Sequence, residues 1–120
     1  MKKLKLGLLL SMLFGCTSNN YKQMNMNEGI SAYKNDENAI LLDVRRNDEY
    51  NSGHIPGSIH YANEDIDENI YHVLSDKNQT IYVYCRSGNR SKQAAKKLVD
   101  LGYVNVIEIG GILDYKGELE

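Results

Sequence analysis

The stretch IYVYCRSGNRSKQAA (residues 81–95) decides the fold, because it contains the pattern of a strand, a tight polar loop and a helix in direct succession. Apolar residues alternate with tyrosines up to Cys85, which indicates a strand whose two faces differ. Ser87-Gly88-Asn89 interrupts the strand. Apolar residues then recur at helical spacing, namely Ala94, Ala95, Leu98 and Val99. We therefore expect Cys85 at the carboxyl end of a strand, facing the N-terminus of a helix.

The loop after Cys85 has the composition of a reactive thiol site. Backbone N–H groups at a helix N-terminus favour an anion, and successive N–H groups of a loop form an anion-binding nest. Arg86 and Arg90 add two positive charges. These features favour the thiolate, which is the nucleophilic form of cysteine. A buried and inert cysteine is the alternative, but a loop with two arginines and a glycine is poorly suited to cover a core residue.

Three segments resemble one protein family in the same order along the chain. The heptapeptide CRSGNRS (residues 85–91) resembles the active-site loop of single-domain rhodaneses, which are thiosulfate sulfurtransferases. Residues 42–59 resemble the upstream signature of that family, and GGILDY (residues 110–115) resembles its closing segment. The resemblance covers roughly residues 22–118, with Tyr115 at a position where the family more often has tryptophan.

The resemblance implies a two-step sulfur transfer. The Cys85 thiolate attacks the outer sulfur of thiosulfate, releases sulfite and becomes a persulfide, whose sulfane sulfur passes to cyanide or a thiol. A persulfide is the alternative sulfur donor. Asp43 and Arg45 match family residues that support the catalytic loop. No cofactor is implied. The expected substrate-binding residues are those of the loop, namely Arg86, Ser87, Gly88, Asn89 and Arg90.

Three other functions are compatible with a reactive loop cysteine. One is a rhodanese-like module that carries or delivers sulfur without turnover, and another is a surface thiol that traps oxidants or reactive sulfur species. A cysteine phosphatase or arsenate reductase is a weaker candidate. Those enzymes have five residues between cysteine and arginine, whereas only residues 86–89 separate Cys85 from Arg90.

The rest of the chain predicts one α/β domain over residues 22–120, with a mainly parallel central sheet flanked by helices in the three-layer arrangement of rhodaneses. Either Asn25 or Asn27 is expected to cap a first helix, and Asn47 a short second helix. The apolar pattern of residues 66–74 predicts a further helix, with a stripe of Ile66, Ile70, Val73 and Leu74.

Two local expectations concern charged and histidine side chains. Arg45 and Glu49 are four residues apart and could pair on one helix face. We expect His54 to bond to nearby backbone and to have no part in catalysis. No metal-ligand spacing joins the three histidines of the sequence.

The first fifteen residues have the pattern of a lipoprotein signal peptide. Three lysines precede a mostly apolar run that is too short to span a bilayer, and the run ends in LFGC (residues 13–16). This tetrapeptide resembles the bacterial lipobox, which implies cleavage before Cys16 and lipidation of that residue. Residues 16–21 would then be a lipidated tether. We expect an exported protein, anchored to a membrane on the periplasmic or cell-surface side. An ordinary secretory leader is the alternative.

Composition restricts the partners. A chain of 120 residues fits one domain, and a formal charge of −2 gives no reason to expect nucleic acid. Lipidation of Cys16 would leave Cys85 as the single thiol of the sequence, which excludes an internal disulfide. The expected partners are a small anionic sulfur donor, a thiol or cyanide acceptor and a membrane, and we expect a monomer.

Overall fold

A computed structural model describes residues 20–120. The signal peptide, Cys16 and most of the predicted tether lie outside the described residues. The strands are β1 (Lys22–Gln23), β2 (Ile40–Asp43), β3 (Ile59–His60), β4 (Thr80–Cys85) and β5 (Asn105–Gly111). The α-helices are α1 (Met26–Lys34), α2 (Asn47–Ser52) and α3 (Asn89–Asp100), and 3₁₀ helices cover Asn63–Asp65, Glu68–His72 and Ile112–Asp114.

The strands form one parallel sheet in the order β1-β5-β4-β2-β3. Consecutive parallel strands need crossover connections, which the three α-helices and the 3₁₀ segments supply. The central strand is β4, so its carboxyl end lies in the middle of one sheet edge. The predicted α/β class with a parallel sheet flanked by helices is confirmed.

Both faces of β4 are buried, as is usual for a strand in a covered parallel sheet. Val83 and Cys85 lie in an apolar cluster with Leu98 of α3. Tyr82 and Tyr84 lie in a second cluster, which includes the buried face of α1. As predicted, alternate side chains of β4 therefore enter two different apolar layers, one on each side of the sheet.

The helix predicted over residues 66–74 is right only in part. The chain there forms a single short 3₁₀ helix, Glu68–His72, and Val73 of the predicted stripe is 54% exposed. The Asp67 carboxylate accepts the N–H of Asn69 at 2.9 Å, which starts a new turn inside the predicted helix. The three residues of the predicted stripe that lie four apart are nevertheless buried against the sheet, namely Ile66, Ile70 and Leu74.

The predicted caps are right for α1 and wrong for α2. Asn25 caps α1, because its side chain accepts the N–H of Glu28 at 2.9 Å. Asn47 is the first residue inside α2, and Arg46 takes the N-cap position. The reason is the Glu49 carboxylate, which accepts the Arg46 N–H at 3.0 Å. A side chain of the helix itself therefore satisfies the backbone N–H of the N-cap residue.

No helix among the described residues has the length and apolarity that crossing a membrane requires.

Candidate active site

Cys85 is the last residue of β4 and is 1% exposed. Its Sγ accepts a hydrogen bond from the backbone N–H of Gly88 at 3.0 Å. Gly88 is the N-cap of α3 and has φ 114°, a left-handed conformation that favours glycine. The sulfur therefore lies at a helix N-terminus with a backbone donor directed at it, as the sequence predicts.

The loop is held from the side by the end of β5. A Cβ added to Gly111 would stand 2.1 Å from the carbonyl oxygen of Arg86, so only glycine fits there. Just beyond the strand, the N–H of Leu113 donates to the same carbonyl at 3.2 Å. The glycine pair of the closing segment thus allows β5 to approach the loop backbone.

The predicted substrate-binding residues lie around one sheet edge but differ in exposure. Gly88 is buried and Arg90 is half-buried. Arg86 has no ion-pair partner in the part of the chain that the structure describes. The side chains that face solvent are those of Arg86, Ser87 and Asn89.

The guanidinium of Arg90 is bound to Glu49 on α2. Its Nη1 donates to Oε1 at 2.7 Å and its Nη2 to Oε2 at 3.1 Å, which is a bidentate pair. The hydrogen bond from Arg90 lowers the pKa of Glu49 to about 2. Much of the positive charge predicted beside Cys85 is therefore compensated, and Arg86 carries the unpaired charge of the loop.

The predicted pair of Arg45 and Glu49 is wrong. Arg45 precedes α2, and its guanidinium binds Asp43, with Nη2 at 2.7 Å from Oδ2 and Nε at 3.0 Å from both oxygens. The same Nη2 donates to the carbonyl of Gly53 at 2.8 Å. Asp43 lies beside Tyr84 in the β2–β4 register. Asp43 and Arg45 thus fix the chain beside β4, and their support of the loop itself stays a prediction.

Two residues at the site had no predicted role. Ser91 Oγ lies 3.4 Å from the Cys85 Sγ and 2.5 Å from Oε2 of Glu108. Both residues are buried, Glu108 to 2% exposure. The available signal is an acidic residue in the apolar run VIEI (residues 106–109) of a strand. A carboxylate in the middle of a covered parallel strand needs a buried partner.

The histidines bond away from the sulfur. Nδ1 of His54 bonds to the carbonyl of Tyr50 at 3.0 Å, so the predicted backbone role is confirmed. Nε2 of His60 bonds to the carbonyl of Arg45 at 2.6 Å. Within residues 20–120, no three His, Cys, Asp or Glu side chains form a group that could hold a metal ion.

This geometry is that of a buried cysteine with a backbone donor on its sulfur and an exposed cation at the loop. It suits a reaction in which a thiolate attacks a small anion and the resulting sulfur species is held by N–H groups.

Comparison with known proteins identifies a family and several relatives of this domain. Residues 26–118 match the family described as rhodanese-like domain. Thiosulfate sulfurtransferase PspE of Escherichia coli (strain K12) is 37% identical over 73 residues, which cover 61% of this chain and 70% of that protein. Putative sulfur carrier protein YrkF of Bacillus subtilis (strain 168) is 35% identical over 86 residues, 71% of this chain and 45% of that protein.

Solved structures show the same fold. A rhodanese with anions from E. coli has a TM-score of 0.63 at 33% identity, over 68% of this chain and 96% of that chain. The rhodanese-like domain of the Alr3790 protein from Anabaena sp. has a TM-score of 0.72 at 28% identity, over 82% of this chain and 77% of that chain.

Proposed function

Since the chain belongs to the rhodanese-like domain family, we propose that it is a sulfurtransferase that moves sulfane sulfur through a persulfide on Cys85. The observation that carries the proposal is the position of Sγ, at the N-terminus of α3 with the Gly88 N–H directed at it. Relatives named as a thiosulfate sulfurtransferase and as a putative sulfur carrier support sulfur as the group transferred.

The proposed reaction has two displacements at sulfur. In the first, the Cys85 thiolate attacks the outer sulfur of thiosulfate. A bond forms between Sγ and that sulfur, the S–S bond of thiosulfate breaks, and sulfite leaves with the electron pair. In the second, a thiolate or cyanide attacks the outer sulfur of the persulfide, and Cys85 leaves as a thiolate. The two steps restore the enzyme, and no cofactor or net oxidation is required.

Loop residues have separate tasks in this proposal. The N–H groups of residues 86–90 and the helix dipole stabilise negative charge on sulfur. Arg86 attracts the anionic donor to the mouth of the site, because its charge is exposed and unpaired within the described residues. Arg90 is bound to Glu49 and sets the position of α3 against α2.

The arrangement disfavours a cysteine phosphatase. In such an enzyme the loop arginine must turn into the anion cradle, and the loop here is one residue shorter than that pattern requires. The fork of Arg90 is instead directed at Glu49.

The test is thiocyanate formation from thiosulfate and cyanide by the purified chain, with Cys85→Ser alongside. We expect turnover in the parent and a loss of at least about a thousandfold in the variant, because the nucleophile is removed. Turnover of Cys85→Ser near the parent rate would reject covalent catalysis at this residue.

A non-turnover sulfur carrier is the second candidate, favoured by the almost complete burial of Cys85. A carrier would show a persulfide on Cys85 by mass spectrometry after exposure to thiosulfate, yet little thiocyanate with cyanide. A thiol trap would show sulfenic acid or mixed disulfides in place of the persulfide.

We also propose export and lipid anchoring at Cys16, on the strength of the LFGC tetrapeptide after a short apolar run. In a bacterial host given a labelled fatty acid, the parent should incorporate label and partition into membranes. Cys16→Ala should do neither. Equal labelling of both chains would contradict lipidation at this residue.

A further inference from the structure

We propose that Ser91 and Glu108 form a proton relay that takes the thiol proton of Cys85 and so prepares the nucleophile. This inference rests on the proposed function, in which Cys85 must react as a thiolate. The three side chains come from three elements, β4, α3 and β5, and meet in the apolar layer under α3.

The distances form a continuous chain of hydrogen bonds. Sγ of Cys85 donates to Oγ of Ser91 at 3.4 Å, and Oγ donates to Oε2 of Glu108 at 2.5 Å. The Ser91 hydroxyl also lies within reach of two backbone carbonyls, those of Gly88 at 2.9 Å and Gly110 at 3.4 Å. A serine hydroxyl has one proton to donate and lone pairs to accept with, so it suits the middle position of a relay.

Glu108 is held by neutral donors. The N–H of Gly110 donates to Oε2 at 2.8 Å, and Nε2 of Gln23 donates to Oε1 at 3.2 Å. Among residues 20–120, no lysine, arginine or histidine forms an ion pair with it. A cationic partner would oppose protonation of the carboxylate more strongly than these neutral donors do.

A local irregularity of the sheet puts Glu108 in this position. In the β4–β5 register, Val83 pairs with Glu108 but Cys85 pairs with Gly111, so β5 has one extra residue. Gly110 accommodates it at φ 87°, and its N–H is directed back at the Glu108 carboxylate. Bulges commonly redirect side chains next to active sites.

The proton balance of the relay is closed. The relay starts from Cys85 as a thiol and Glu108 as a carboxylate. The Sγ proton moves to Oγ of Ser91 while the hydroxyl proton of Ser91 moves to Oε2. The products are a thiolate that accepts hydrogen bonds from Ser91 and Gly88, and a carboxylic acid that donates to Ser91. The net charge of the cluster is unchanged, which matters because two anions sharing one buried hydroxyl would repel each other.

The charged residues next to the cluster in the chain bond elsewhere or face solvent. On α3, Arg90 is bound to Glu49 of α2. In the loop, Arg86 faces solvent. On β1, the residue that contacts the carboxylate is the neutral Gln23.

The test measures the rate of Cys85 alkylation by iodoacetamide against pH, read by peptide mass spectrometry so that Cys16 is counted separately. We expect Ser91→Ala and Glu108→Gln to move the midpoint of the profile up by about one pH unit, with about tenfold slower alkylation at neutral pH. The double variant should show no further shift, because the two residues act in series. Ser91→Thr keeps the hydroxyl and should keep the parent midpoint.

Tyr103→Phe is the matched control, since it removes another buried hydroxyl from the same apolar layer, one that donates to the Leu74 carbonyl. Its midpoint should equal that of the parent. An unchanged midpoint in Ser91→Ala overturns the relay, and this variant decides alone if Glu108→Gln fails to fold. A midpoint moved down in Glu108→Gln also overturns it, because the carboxylate would then only repel the thiolate.

Alkylation needs no thiosulfate, so the relay and the proposed function fail separately. A shifted midpoint in a chain that forms no thiocyanate would retain the relay and reject the sulfurtransferase. An unshifted midpoint in an active chain would reject the relay only.

Discussion

Two carboxylates are buried at the same edge of the sheet, and the protein compensates them in opposite ways. Asp43 at the end of β2 is 0% exposed and receives Nε and Nη2 of Arg45 as well as the Arg45 N–H. Glu108 on β5 is 2% exposed and is bound by the neutral groups of Gln23, Ser91 and Gly110.

The difference separates a structural charge from a reactive one. A buried carboxylate with an arginine fork stays ionised and fixes the chain around it. A buried carboxylate without a cationic partner opposes protonation less strongly, and in the proposed relay Glu108 takes a proton through the hydroxyl of Ser91, which lies next to Cys85. Asp43 therefore fixes the position of this edge of the sheet, and in the proposed relay Glu108 controls the protonation of Cys85.

Removing the guanidinium from the first cluster should have the largest effect on stability. Arg45→Met retains an apolar stem but leaves Asp43 buried without its cation, which costs about 3–5 kcal/mol. Urea unfolding followed by circular dichroism measures the free energy of unfolding. Arg46→Met is the matched control, because that arginine is exposed and pairs with exposed Asp48, and its free energy of unfolding should stay close to that of the parent. A loss below about 1 kcal/mol in Arg45→Met would show that Asp43 is not a fixed charge.

The contact between β5 and the loop should be the next most sensitive point. Gly111→Ala would place Cβ against the Arg86 carbonyl, and the loop must shift to make room. We expect a loss of about 1–3 kcal/mol and a fall of at least about tenfold in thiocyanate formation. Gly102→Ala is the comparison, since φ 101° makes it strained at the distant end of α3. It should lose stability but keep turnover; equal turnover losses would contradict a specific effect on the loop.

The sequence was sufficient for the elements whose pattern is local. Alternation in β4 and the glycine of the loop predicted the parallel sheet, the position of Cys85 and the start of α3. The sequence was insufficient for contacts between residues that are distant along the chain or in irregular register. The i,i+4 spacing suggested a pair of Arg45 with Glu49. Arg45 instead lies before the start of the helix and binds Asp43, two residues earlier in the chain. The role of Glu108 depends on the irregular register of β5, which no residue spacing reveals.

Glu49 is paired with an arginine, as Asp43 is, but this ion pair is only partly buried. The pH dependence of stability tests how much the pair contributes. Because the pKa of Glu49 is lowered from 4.5 to about 2, its contribution is present above about pH 4.5 and is lost as the pH falls towards 2. We expect Glu49→Gln to be about 1–2 kcal/mol less stable than the parent at pH 6. The difference should shrink as the pH falls.

Asp48→Asn is the control for this measurement. Asp48 is exposed and lies beside Glu49 in α2, so its replacement should leave the free energy of unfolding at pH 6 close to that of the parent. A gap between Glu49→Gln and the parent that stays constant down to pH 2 would mean that the ionised carboxylate is not the source of the stability.

The smallest effect on stability should come from Glu108→Gln, the variant with the large effect on alkylation. Glutamine keeps an oxygen for the N–H of Gly110, and no cation is left unpaired, so we expect a loss within about 1 kcal/mol at pH 7. Urea unfolding beside Arg45→Met measures the contrast directly. If Glu108→Gln instead lost about 3 kcal/mol or more, Glu108 would be a structural charge like Asp43. A small loss in stability together with an alkylation midpoint shifted to higher pH is the combination expected of a proton-accepting carboxylate, whereas a midpoint shifted to lower pH would mean that Glu108 only repels the thiolate.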